Sequence, residues 1–337
     1  MMKKRQIGIL LAVLLGLLLA GCGKQKKQDY TQDFYAMDTA MRITAYGDSA
    51  RDAVTESVSY INMLEADISR TRESSDIFAL NHAEGETTEL SQQAADILQE
   101  ALELAARTEG RFDPTIAPLS DLWGIGTEQA AVPAQEEIDN VLPLVDYTKV
   151  SLDGTTASIP AGAEIDLGGI GKGYAADHVI EILKENGVEQ AVVSLGGNVY
   201  VLGEKEDGIP WKVGITDPEN PGDYFASLSV SDTAVVTSGD YERYLEADGK
   251  RYCHIFDPET GYSAETDLRS VTVVSSDSTS ADAYTTALFV MGLEEAMAFC
   301  KQHQIEAVFV CKDHTVHVTD GLKPSFELQS TEYTYAE

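Results

Sequence analysis

The segment Asp166-Leu167-Gly168-Gly169-Ile170-Gly171-Lys172-Gly173-Tyr174-Ala175-Ala176-Asp177 restricts this chain more than any other. Four glycines, a carboxylate and a lysine share one short loop. Ala163 and Ile165 lead into it, and a run of helical spacing leads out to Glu185. Glycine lets backbone amides approach an anion with no side chain in the way. The helix N-terminus adds unpaired donors and partial positive charge, and Lys172 adds a point charge. Two readings follow: a phosphate cradle, or a tight strand-to-helix turn. A nucleoside-triphosphate P-loop is excluded. Asp166 stands where its first glycine belongs, and Gly173 follows the lysine in place of Ser or Thr.

The N-terminus carries an address. Lys3, Lys4 and Arg5 precede an apolar run from Ile7 to Ala20 that ends in Leu19-Ala20-Gly21-Cys22. A basic start, a short apolar core and small residues describe a secretory signal, too short for an ordinary membrane span. Leu-Ala-Gly before a cysteine is similar to a bacterial lipobox, which makes Cys22 the expected lipidated terminus. An uncleaved N-terminal anchor is the alternative. The expected layout is a lipoprotein signal at 1–21, a tether at 22–30, one domain at 31–325 and a C-terminal tail at 326–337. The expected location is the outer face of the cytoplasmic membrane.

Charge narrows the partners. The chain has 24 Lys+Arg against 56 Asp+Glu, a formal net charge of −32, and the signal holds three of the basic residues and no acid. Such acidity opposes nucleic acid and anionic lipid surfaces. An anionic ligand therefore needs local help from backbone amides, Lys172 or a metal. Besides Cys22, the cysteines are Cys253, Cys300 and Cys311. An odd count is no disulfide framework, and without a Cys-x-x-Cys pair a structural zinc site is not expected.

No internal repeat or Pro/Gly/Ser-rich linker divides the chain. Phe34 to Tyr46 alternates like a strand, while 51–69 and 91–108 carry apolar residues at helical spacing. Thr127 to Asn140 is polar and reads as an exposed excursion. Short β-rich runs follow the glycine loop: 191–195, 199–202, 211–215, 226–230, 234–237, 252–256 and 270–274. Helices are expected at 281–291 and 293–303, then strands at 307–310 and 315–318. Short strands with tight turns between helix pairs predict an α+β fold with a largely antiparallel sheet flanked by helices.

Two further segments carry chemistry. On a helix, Asp282 and Thr286 are four residues apart and share one face. A carboxylate and a hydroxyl one turn apart suit Mg²⁺, which completes its octahedron with phosphate oxygens and water. The bland alternative places Asp282 in a first turn for dipole reasons and bonds Thr286 back to a carbonyl. His254 and Phe256 share one face of the expected strand 252–256, before the Asp257-Pro258 turn. His254 is a general base or a hydrogen-bonded surface residue. His314 and His317 point to opposite faces and read as exposed.

Taken together, these elements resemble the ApbE family of FAD:protein FMN transferases. The carriers are Ala36-Met37-Asp38-Thr39, Ser75-Asp76-Ile77 with Leu80-Asn81, and Gly110 to Leu119. Leu122-Trp123-Gly124, the glycine loop, Ser194-Leu195-Gly196-Gly197-Asn198 and Thr237-Ser238-Gly239 continue the series. His254 to Gly261 and Ala281-Asp282-Ala283 with Thr286 complete it. The resemblance implies a single T-fold-like domain and transfer of FMN from FAD to a Thr or Ser hydroxyl of an exported acceptor flavoprotein, with AMP released. It implies Mg²⁺ held by the Gly169 carbonyl, Asp282 and Thr286. FAD contacts are implied at Met37, Arg111, Phe112, Asp113, Asp166, Lys172 and Phe256, and His254 is the implied base. Thr71 stands where some members carry an aromatic residue, and Thr285 where some are acidic. The rivals are an exported FAD pyrophosphatase using the same site and a non-catalytic flavin-binding lipoprotein.

Overall fold

The computed structural model describes residues 29–336. The signal segment, Cys22 and residues 22–28 of the tether lie outside them. Among the described residues, one nine-stranded sheet organises the fold. Its strands are β1 (Asp29–Ala36), β2 (Thr39–Tyr46), β3 (Gln190–Leu195), β4 (Asn198–Leu202) and β5 (Thr233–Gly239). β6 (Leu268–Ser275), β7 (Glu306–Cys311), β8 (Thr315–Val318) and β9 (Thr334–Tyr335) complete it. They lie side by side in chain order, antiparallel from β1 to β8, with β9 parallel to β8.

Both faces of the sheet are covered over its central strands, and the strand period of two decides what each side chain meets. In β7, Ala307, Phe309 and Cys311 join one core, while Val308 and Val310 join another. The first core lies under the helices α1 (Ala50–Ile68), α2 (Gln92–Arg107), α3 (Gly171–Glu185) and α4 (Ser278–His303). In α1, the buried residues Val54, Val58, Ile61, Leu64 and Ile68 fall on one helical stripe, as their spacing predicts. The second core is closed by a three-stranded sheet of Trp211–Thr216, Tyr224–Val230 and Phe326–Leu328.

Several expectations change. The stretch 34–46 is a hairpin, because Met37 and Asp38 adopt left-handed φ values of 47° and 57° and reverse the chain. Strand β1 is already formed at Asp29 and Tyr30, which the expected layout gives to the tether. The tail assigned to 326–337 completes the fold instead: Phe326 pairs with Leu228, and Thr334 with Thr315. Tyr333 is buried, packs on Phe225 and donates its hydroxyl to Asp217. The polar excursion contains a helix, Gln135–Val141, with Ile138 buried. The expected strand 252–256 stops at Cys253, paired with Tyr244–Ala247 in a separate ribbon, so His254 and Phe256 share no strand face. Gly292, at φ 73° and ψ 172°, breaks α4 between the two expected helices. Cys253, Cys300 and Cys311 are free and buried, and His314 stacks on Tyr333.

Tyr333→Ala should cost about 3–5 kcal/mol, the range for emptying a buried aromatic site. Urea unfolding of the wild type and variant measures it. A loss under about 1 kcal/mol would return the C-terminal segment to the status of a tail.

Candidate active site

The glycine loop is built to be close to its neighbours. A Cβ on Gly173 would sit 2.2 Å from the Ser278 carbonyl oxygen and 2.9 Å from the Asp282 Cβ, so only glycine lets α3 approach α4. The Gly173 amide donates to Asp282 Oδ2 at 2.9 Å. A Cβ on Gly169 would lie 3.1 Å from the Phe112 ring and 3.8 Å from Thr286 Oγ1. Loop, Phe112, Asp282 and Thr286 thus form one cluster.

The incoming chain is pinned on both sides. Asn81 Nδ2 donates to the Ile165 carbonyl at 2.9 Å, and the Ile165 amide donates to Asn81 Oδ1 at 2.7 Å. Asp166 donates its amide to the Pro114 carbonyl at 2.7 Å and accepts the Gly168 amide at 2.7 Å. Arg70, which the sequence does not single out, lies 3.3 Å from Asp166 and forks onto Asp121 at 2.6 and 2.9 Å.

These bonds correct the simple phosphate-cradle picture. The amides of Gly168, Ile170, Gly171 and Gly173 are committed to Asp166, Leu167, Leu167 and Asp282. Positive charge for an anion must therefore come mainly from elsewhere. Lys172 is placed for it, with Nζ 3.3 Å from the Gly168 carbonyl and 3.7 Å from Asp282 Oδ1.

The two bland roles considered for α4 fall to other residues. Its N-cap is Asp277, which accepts the Ser280 amide at 2.8 Å. The threonine that bonds back to a carbonyl is Thr285, at 2.7 Å from the Asp282 oxygen, with Ser238 at 2.8 Å. The Thr286 hydroxyl makes no hydrogen bond among the described residues, and Asp282 Oδ1 has only Lys172 nearby. One buried carboxylate, one free hydroxyl and the neighbouring Gly169 carbonyl are hard oxygens of the kind Mg²⁺ uses when phosphate and water complete the shell. The residues fit such an ion. Among the described residues, no group of three or more His, Cys, Asp or Glu could hold a metal, so this set depends on ligand oxygens.

The remaining expected contacts divide. Arg111 is held by Glu259 at 3.4 Å and Glu295 at 3.3 Å, on the rim of an open cleft of about 380 Å³ that Asp113, Tyr147 and Pro258 also line. Asp113 is spent internally: it accepts from the Thr115 amide and hydroxyl at 2.8 and 2.6 Å, and from the Tyr147 amide at 3.0 Å. Burial pushes its pKa up against those bonds. Phe256 packs its ring on Trp123, 5.8 Å between centroids, in a small cluster with Ile138. Half-buried Met37 caps the β1–β2 hairpin beside the Gly196 turn, where a Cβ would strike Thr39. By register, this turn and Gly239 lie at the same end of the sheet.

His254 is half-buried and directs Nδ1 to the Arg243 carbonyl at 3.2 Å. Desolvation, with Arg243 and Lys172 opposing a further positive charge, lowers its pKa to about 4. Glu242 is pushed up by burial despite Lys172 and Arg243, and Asp282 adds to the rise.

The fold and these residues define a mixed α+β protein whose candidate site lies where the first turns of two helices meet a glycine loop. The chain belongs to the ApbE family, whose model matches residues 37–309. It is 34% identical to the FAD:protein FMN transferase of Treponema pallidum over 94% of each chain, and 39% identical to one from Klebsiella pneumoniae over 73% of this chain and 78% of that one. The crystal structure of the ApbE protein from Thermotoga maritima superposes with a TM-score of 0.83 at 33% identity, covering 88% of this chain and 99% of that chain.

Gly173→Ala should destabilise the protein by about 1–3 kcal/mol or more, as overpacking does where no flexible neighbour can give way. Thermal and urea unfolding test this. An unchanged midpoint would mean that α3 and α4 do not approach as closely as described.

Proposed function

We propose that this chain transfers the FMN half of FAD to a threonine or serine hydroxyl of an exported acceptor flavoprotein, releasing AMP. The reading is supported by the names of its relatives. In the structure, it is carried by one observation: beside the glycine loop, the Thr286 hydroxyl makes no hydrogen bond among the described residues and Asp282 Oδ1 meets only Lys172. FAD is the substrate. The Gly169 carbonyl, Asp282 and Thr286 would hold Mg²⁺, which when bound supplies positive charge to the phosphate oxygens.

The chain's own residues then have distinct tasks. Lys172 sets a second positive charge beside Asp282, on the side where the diphosphate would lie. Phe112 and the pinned loop fix the position of the Gly169 carbonyl. With its Nδ1 hydrogen given to the Arg243 carbonyl, neutral His254 keeps the Nε2 lone pair free to accept a proton. The acceptor oxygen forms a bond to the FMN-side phosphorus, the phosphorus–oxygen bond to AMP breaks, and the hydroxyl proton passes to His254. The N-terminal sequence signals support an exported lipoprotein anchored through Cys22 on the outer face of the cytoplasmic membrane.

With FAD, Mg²⁺ and a threonine-bearing acceptor, mass spectrometry should show an FMN-sized addition to the acceptor together with AMP. Asp282→Ala should abolish labelling, and His254→Ala should slow it by about 10²–10⁴-fold. Rapid AMP release without acceptor would favour hydrolysis instead. FAD binding that is insensitive to chelation, with no turnover, would leave a carrier.

The pH dependence has a definite sign. A base whose pKa is lowered stays deprotonated as pH falls through the usual histidine range, so kcat/KM should hold down to about pH 5 and fall only toward pH 4. A His254-dependent fall centred near pH 6.5 would contradict the role assigned to its environment.

A further inference from the structure

Helices α3 and α4 cross antiparallel, and two tethers one turn apart join them. At one end, Asp282 of α4 accepts the Gly173 amide. At the other, Asp177, four residues beyond Gly173 on the same face of α3, accepts from the first turn of α4. Its Oδ1 takes the Ser278 amide at 3.0 Å, and its Oδ2 takes the Thr279 amide at 2.8 Å and the Thr279 hydroxyl at 2.7 Å. Helix α4 therefore has two acidic caps. Asp277 belongs to its own chain segment and bonds the amide and hydroxyl of Ser280. Asp177 belongs to the helix that grows out of the glycine loop.

The two caps satisfy similar orphan donors but do different geometric work. Asp277 holds α4 to itself. Asp177 holds α4 to the loop helix, and so fixes how far Asp282 and Thr286 stand from Gly169. The contact leaves little slack, because Gly173 already meets the Ser278 carbonyl at the limit of approach.

We propose that Asp177 is a positioning residue for the cation site, setting the register between the helix that carries Asp282 and Thr286 and the loop that carries Gly169. This rests on the proposed function, which supplies the cation. Groups that orient metal ligands without touching the ion typically change metal affinity by about 10–100-fold when lost. Asparagine at 177 keeps the shape but replaces one acceptor oxygen with a donor facing an amide, which breaks one tether.

The test compares Asp177→Asn with Asp277→Asn in the full chain, titrating Mn²⁺ against saturating FAD without acceptor and reading free Mn²⁺ by EPR. Both variants lose a cap of α4 and should lower the thermal midpoint similarly. Only Asp177→Asn should weaken Mn²⁺ binding, by about 10-fold or more, as expected for an outer-shell group. In turnover, its half-saturating Mg²⁺ should rise by the same factor while kcat at saturating Mg²⁺ recovers. Thr279→Val, which removes one of the three bonds, should shift Mn²⁺ affinity in the same direction by less, and it decides the matter if Asp177→Asn does not fold. Wild-type Mn²⁺ affinity in Asp177→Asn, or equal weakening in both cap variants, overturns the proposal and leaves the proposed function standing. A wild-type chain that binds no Mn²⁺ overturns both.

Discussion

Gly173 meets the first turn of α4 with no room for a methyl group, and the rest of the site is arranged around that contact. Because the two helices touch there, a carboxylate on one can reach an amide on the other. That bond spends Asp282 Oδ2 and leaves Oδ1 free. The same approach brings Thr286 toward Gly169.

A chain of net charge −32 repels a diphosphate from most of its surface, and the amides of Gly168, Ile170, Gly171 and Gly173 are committed to Asp166, Leu167 and Asp282. What remains is Lys172 and the charge that a cation would add. A backbone cradle alone would suit a more basic protein. Here the geometry favours a site in which one loop amide, that of Gly173, positions the Asp282 carboxylate. Burial lowers the pKa of His254, and Arg243 and Lys172, cationic side chains of the kind that favour an anion, add to the shift.

The sequence makes much of this legible, and its failures have physical causes. Val308 and Phe309 announce opposite faces of β7 by alternation alone, and the stripe of α1 follows its period. The C-terminal strands were missed because two or three residues are stabilised only by long-range pairing and carry no local pattern. The hairpin at Met37-Asp38 hid because neither residue is the glycine that left-handed turns usually recruit. At the site, the spacing of Asp282 and Thr286 was readable. That Thr285, not Thr286, would be spent on a carbonyl was not, because Ser238 from a distant strand completes that bond. Arg70 escaped for a similar reason: Asp121 and Asp166 meet it only in the folded chain.

The account turns on one cation between the Gly169 carbonyl and the Asp282–Thr286 turn. Crystals grown with Mn²⁺ and FAD, measured for anomalous scattering at the manganese edge, address it most directly. The prediction is a single peak bonded to Gly169 O, Asp282 Oδ1 and Thr286 Oγ1, with phosphate oxygens completing the shell. A bound dinucleotide with no manganese at those three oxygens, or with manganese held elsewhere, would contradict it.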